Sequence, residues 1–217
     1  MSGDYTRSWA LRQMADLCSV SLGQPSMINT DADLIKTVSE INQRIQAVHD
    51  YLGDRNHDNA KIRFPRGYLR TCATHRHKYS FLEDKTLQSN IAYAKMTTDI
   101  FRWLLNRTDI SMVANEMIIK QGISIIGNIV ESIVKEVLRG KPGGGNKQNF
   151  KKKVETLVAN QEITPELKTE LDWLWDVRNN VHLMLLEERE IGKYKIKDYN
   201  RAVKALQSLR VALGGKP

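Results

Sequence analysis

Apolar residues recur at helical steps along almost the whole chain from residue 34 onward. In "TDADLIKTVSEINQRIQAVHDYL", Leu34, Val38, Ile41, Ile45, Val48 and Leu52 follow alternating steps of four and three. That is the narrow stripe of a helix suited to one partner helix. Thr30 and Asp33 stand in capping-box spacing at its start, and the polar "GDRNHDNA" ends it. A shorter helix is predicted over residues 5–19, with Trp9, Leu17 and Cys18 as its apolar contacts. Residues 61–82 have no clear period, and Pro65 and Gly67 predict a loop or a broken helix there.

The period returns at 86–107, with Leu87, Ile91, Ala94, Phe101, Leu104 and Leu105. It continues at about 111–139, with Met117, Ile118, Ile125, Ile126, Ile129, Ile133 and Val137. "RGKPGGGNKQN" then breaks the chain and predicts a mobile loop, with a short helix following at 149–159. Thr164 as N-cap and Pro165 in the first turn begin a helix that runs to about residue 190. Asp198 is expected to cap the last helix, with Ala202, Val203, Leu206, Leu209 and Leu213 on one side. Gly214 and Gly215 stop it. No strand pattern competes, so the expected fold is all-α.

Composition adds bounds. A chain of 217 residues with 41% hydrophobic and 27% charged residues is ordinary for a globular protein with a real core. Cys18 and Cys72 are too few for a disulfide framework, which points to a reducing compartment. No secretory pattern opens the chain, and the longest apolar segment, "IIKQGISIIGNIVESIV", is interrupted by lysine, glutamine, asparagine and glutamate. The expectation is a cytoplasmic protein with no membrane partner.

Charge changes the picture more. The net charge of +8 is concentrated in two acid-free stretches. Residues 61–78 carry Lys61, Arg63, Arg66, Arg70, Arg76 and Lys78; residues 139–153 carry Arg139, Lys141, Lys147, Lys151, Lys152 and Lys153. Such excesses attract a polyanion, with RNA the expected partner and Arg63, Arg66, Arg70, Arg76, Lys147, Lys151, Lys152 and Lys153 the candidate contacts. The plain alternative is two solvated basic loops.

Candidate chemistry lies in "LDWLWDVRNNVHLMLLEERE", residues 171–190. Leu171, Leu174, Trp175, Arg178, His182 and Leu185 follow steps of three and four, which places a guanidinium and an imidazole on an apolar stripe. A buried arginine cannot escape its desolvation cost by losing a proton, so an anion or a dense set of acceptors should sit against it. One such account is structural: Arg178 paired to an acid such as Glu131, and His182 satisfied by a carbonyl.

"VRNNVHL" in a basic all-α chain resembles the signature of the HEPN superfamily, an arginine followed by a polar residue and then a histidine. The resemblance extends over roughly residues 86–213, and the first 85 residues lie outside it. It implies a HEPN-like bundle of four to five helices over 86–217, while the pattern of the residues themselves gives an N-terminal helical extension with a basic loop over 1–85. It also implies a homodimer with a composite active site, an antitoxin or regulatory protein as a possible partner, and metal-independent endoribonuclease activity in a toxin or phage-defence setting. Arg178 and His182 would be the catalytic pair and Asn179 the supporting polar residue, with no cofactor. The family's usual spacing leaves four to six residues between arginine and histidine; three separate them here, putting both on one helical face. RNA supplies its own 2′-OH nucleophile. His182 would move the proton, and Arg178 would hold the phosphate, giving 2′,3′-cyclic phosphate ends.

Other motifs carry less. "CATHRH" offers Cys72, His75 and His77, but no second cluster with ligand spacing follows. "GKPGGGNKQ" lacks the G-x-x-x-x-G-K-[ST] pattern of a phosphate loop. Trp103, Trp173 and Trp175 stand among leucines and read as core. A non-catalytic nucleic-acid-binding protein, or an interaction module using the stripe at 34–52, remain the alternatives.

Overall fold

Seven α-helices and one short 3-10 turn make up the regular structure of the described residues, and no strand occurs among them. The computed structural model describes residues 27–142, 145, 148–179 and 191–216. The helices are α1 (Asp31–Leu52), α2 (Cys72–Lys78), α3 (Lys85–Arg107), α4 (Met112–Val137), α5 (Phe150–Ala159), α6 (Pro165–Asn179) and α7 (Ile196–Ala212). The chain is all-α. The helix expected at 5–19 and the continuation expected from 180 to 190 lie outside the described residues.

The chain divides into two units, Met1–Phe64 and Pro65–Pro217. In the first, α1 starts at the capping box seen in the sequence. The Thr30 hydroxyl accepts the Asp33 N–H at 3.1 Å, and the Asp33 carboxylate accepts the Thr30 N–H at 3.1 Å. The stripe of Leu34, Val38, Ile41, Ile45 and Val48 on this helix is roughly half exposed.

In the second unit, α4 is the central element, packed against α3, α5, α6 and α7. Its Ile119, Ile123, Ile126, Val130, Ile133 and Val134 are fully buried. Each such side chain contributes about 1.5–3 kcal/mol relative to exposure. α4 is also long and apolar enough, by length and composition, to cross a membrane, although Lys120, Gln121, Asn128 and Glu131 interrupt its apolar run. Its apolar residues instead form the core of the bundle. Gly122 lets α7 approach: a Cβ there would fall 2.5 Å from the Tyr199 ring.

Residues 72–78 form a helix inside the segment expected to be a loop or a broken helix; two turns are too short to display a period. Thr71 caps it by accepting the Thr74 N–H at 3.1 Å. α2 packs on α3, within the unit that begins at Pro65. Asp198 is not the N-cap of α7; it lies in the first turn, where its carboxylate accepts the Lys195 N–H at 3.1 Å. The expected stop is present, with Gly214 at φ 84° and the Gly215 N–H on the Arg210 carbonyl at 2.8 Å.

Candidate active site

α6 turns Leu171 and Leu174 into the core, and Arg178 follows one turn later at the margin of that core. Its guanidinium spans to α4. Nε donates to Asn128 Oδ1 at 2.9 Å, Nη2 to Glu131 Oε2 at 3.0 Å, and Nη1 to Asn179 Oδ1 at 3.2 Å. Gly127 makes the approach possible, since a Cβ there would meet the Arg178 methylenes at 2.8 and 2.9 Å. Trp175 supports the group from the side. Its ring lies 5.0 Å from the guanidinium carbon and stacks on Phe150 of α5 at 4.6 Å between centroids. The Arg178 side chain is 27% exposed and that of Glu131 16%.

Glu131 is shared. Its other oxygen pairs with Lys135, so two cations meet one carboxylate. These three groups together carry one net positive charge. A guanidinium has five N–H donors, and the three hydrogen bonds among the described residues leave one on each terminal nitrogen. Two such donors on one plane suit the oxygens of a phosphate.

Arg178 and Asn179 are thus brought together, with Glu131 as the acid considered from the sequence. His182 and Lys147 lie outside the described residues. Asn128 and Lys135 were missed, although polar residues at 128, 131 and 135 of an otherwise apolar helix are a visible signal.

The basic residues separate. Arg63, Arg66, Arg76 and Lys152 are exposed. Lys151 pairs with Asp176 of α6 at 2.8 Å. Lys153 is 3% exposed, and its expected role as an RNA contact is corrected: it shares the inward stripe of Phe150, Val154 and Leu157. Acids distant in sequence also reach the second basic stretch, with Glu162 at 3.4 Å from Lys141.

Arg70 is engaged as well. It grips Asp99 of α3 with Nη2 on one oxygen and Nε on the other at 3.1 Å, while its backbone N–H reaches Asp99 at 3.3 Å. His75 Nε2 lies 3.2 Å from the same carboxylate. Asp99 and His75 are each 1% exposed. Burial pushes the Asp99 carboxyl up, but the hydrogen bonds from His75 and Arg70 outweigh it and hold the group well below the usual carboxylate range. His75 therefore serves Asp99, and Cys72 Sγ lies 3.1 Å from Met96 Sδ. Among the described residues no group of three or more His, Cys, Asp or Glu is placed to hold a metal.

No protein-family model, curated protein sequence or solved structure matches the chain.

Proposed function

We propose that the second unit is a HEPN-like, metal-independent endoribonuclease with Arg178 and His182 as its catalytic pair. The observation that carries this reading is the partly exposed Arg178 guanidinium, held on three sides and, among the described residues, with a donor left on each terminal nitrogen. Arg178 would bind the scissile phosphate through those donors and offset charge growing on its oxygens. His182 would take the 2′-OH proton, and in a homodimer the second copy's histidine would return one to the leaving 5′-oxygen. The P–O5′ bond breaks as the 2′-oxygen attacks. The products are a 2′,3′-cyclic phosphate and a 5′-hydroxyl, and no metal enters.

Asn128 and Asn179 orient the guanidinium by neutral hydrogen bonds, which leave its charge for the substrate. Lys135 offsets the charge of Glu131. Exposed Lys152 and the Arg63, Arg66 and Arg76 group would supply sequence-independent phosphate contacts.

The Arg178–Glu131 ion pair favours a second reading, a non-catalytic HEPN-like binding or interaction module in which the arginine clamps α6 to α4. One experiment separates the two. Purified protein is incubated with mixed RNA in EDTA, and product ends are tested for cyclic phosphate. Cleavage that survives chelation supports the nuclease. An absolute divalent-metal requirement rejects the mechanism, and intact RNA together with lowered melting temperatures of both R178A and H182A assigns Arg178 to the clamp.

A further inference from the structure

A second constellation in the same unit is unrelated to Arg178. Between the segment around α2, α3 and α7 lies a cavity of about 220 Å³. Arg70, Lys78, Lys95, Arg102 and Arg210 line it, and Asp99 is the one carboxylate among the lining residues. Five cations converge on one acid. That acid is already committed, since Arg70 holds both of its oxygens and His75 holds one. Among the described residues, neither Lys78, Lys95 nor Arg210 forms an ion pair with an acid.

Two further observations point to a ligand. His75 Nδ1 and Arg102 Nε are buried and have no hydrogen-bond partner among the described residues, and both residues line the cavity. Buried polar atoms of this kind are costly unless something satisfies them. Like charges are also crowded. Burial and then Arg70 hold the Lys95 ammonium down, to about 8. Lys78 is lowered by burial and by Arg210 and Arg70. An anion in the cavity relieves the repulsion and accepts from the Arg102 guanidinium.

We propose that this cavity binds a phosphate dianion through Arg70, Lys95, Arg102 and Arg210, with Asp99 as the positioning residue that fixes Arg70. Size selects the ligand class. Organic ligand pockets run about 300–1,000 Å³, so a cavity of about 220 Å³ suits an oxyanion or a small molecule that carries one. Inorganic phosphate and the terminal group of a small phosphomonoester share this chemistry; a folded RNA strand does not fit. The site goes beyond the nuclease reading, and none of its lining residues belongs to the Arg178 constellation, so the two succeed or fail separately.

The test is isothermal titration of the full chain with sodium phosphate, sodium sulfate and adenosine 5′-monophosphate, at ionic strength held constant with sodium chloride. Saturable binding at one site per chain is expected for phosphate and sulfate, weakened at least about tenfold in Arg102→Gln and Lys95→Met through loss of a charge-assisted hydrogen bond. Lys36→Gln, on α1 and outside the cavity, should leave it unchanged. Arg102 is half-exposed at the rim, so R102Q carries the test if K95M fails to fold. Sulfate keeps its charge from pH 6 to 9, so its affinity should fall as pH rises through about 8, where Lys95 loses its proton. Of the other groups that face the cavity, Arg70 is held up by Asp99 and stays charged, Asp99 stays ionised, and Tyr79 and Tyr199 are pushed up by burial to about 12 and stay neutral; Lys78, lowered by burial, and His75, Arg102 and Arg210 complete the lining. Nucleotide binding at least as tight as phosphate assigns a phosphomonoester; binding of the inorganic ions alone assigns free phosphate. Absence of saturable binding by every probe, or equal affinity in wild type, R102Q and K95M, overturns the proposal.

Discussion

Arg70 and Arg178 make the same kind of arginine–carboxylate pair at two places in one bundle, and they bury different partners. At the first, the acid is enclosed: Asp99 is 1% exposed, while the Arg70 side chain is 36% exposed. At the second, both partners sit at a rim, and Glu131 has Lys135 as a second cation. The difference assigns the cost of loss. An enclosed carboxylate that holds a guanidinium and an imidazole has no water to replace them, so removing its charge strands cations in the interior. A rim carboxylate is screened, and its arginine keeps two neutral partners. Arg70 is tied to the fold and its cavity. Arg178 is held at a margin where Glu131 keeps a second cation.

The sharpest break of that comparison is in cleavage. His182→Ala is expected to lower RNA cleavage by about 100- to 10,000-fold with RNA binding nearly intact, the range for losing a proton-transfer group. Arg178→Ala should lose cleavage comparably, weaken binding, and change stability by no more than about 1 kcal/mol, since Glu131 retains Lys135. Equal cleavage by wild type and H182A rejects the assignment. Next is Asp99→Asn, expected to destabilise the fold by about 3–5 kcal/mol in urea unfolding at neutral pH. A loss below about 1 kcal/mol would show that Asp99 is no more essential than Glu131.

The Asp99 pair also has a pH signature. Its folded-state carboxyl lies below its ordinary value of 3.8, so its stabilisation is complete above that value and is lost as pH falls through the folded-state value. The stability difference between wild type and D99N should be flat from pH 7 to about 5 and shrink below 4. A difference that stays constant down to pH 2 contradicts the ion-pair account. Glu131→Gln should cost about 1 kcal/mol or less, with Arg178 still bonded to Asn128 and Asn179. The smallest effect expected is that of Lys152→Glu, which should leave the melting temperature unchanged while lowering the salt slope of RNA binding by about one unit. Lys153→Glu, placed in the interior, should instead destabilise the protein.

Much of the architecture was legible. The capping box at Thr30 and Asp33, the stop at Gly214 and the apolar period of α4 are local signals, written in residues three or four apart. α2 was not legible, because a helix of seven residues shows too few repeats for a period. Arg178 stood out as a cation on an apolar stripe, and Glu131 was the acid it required. Asn128 was overlooked because nothing local couples a residue of α4 to one fifty positions later on α6.

By itself the sequence determined the all-α class, most helix limits and the residues rich enough in chemistry to matter, because propensity, capping and period act over a few residues. Only the tertiary structure decided which charges remain available. The two basic stretches contain no acid of their own, yet Asp99 takes Arg70, Asp176 takes Lys151 and Glu162 takes Lys141, all from other parts of the chain. The physical reason is range: a Coulomb interaction depends on distance in space, and packing brings together groups that the chain keeps 21 to 29 residues apart. The same packing gathered five cations around one buried carboxylate, a cavity that no stretch of sequence contains.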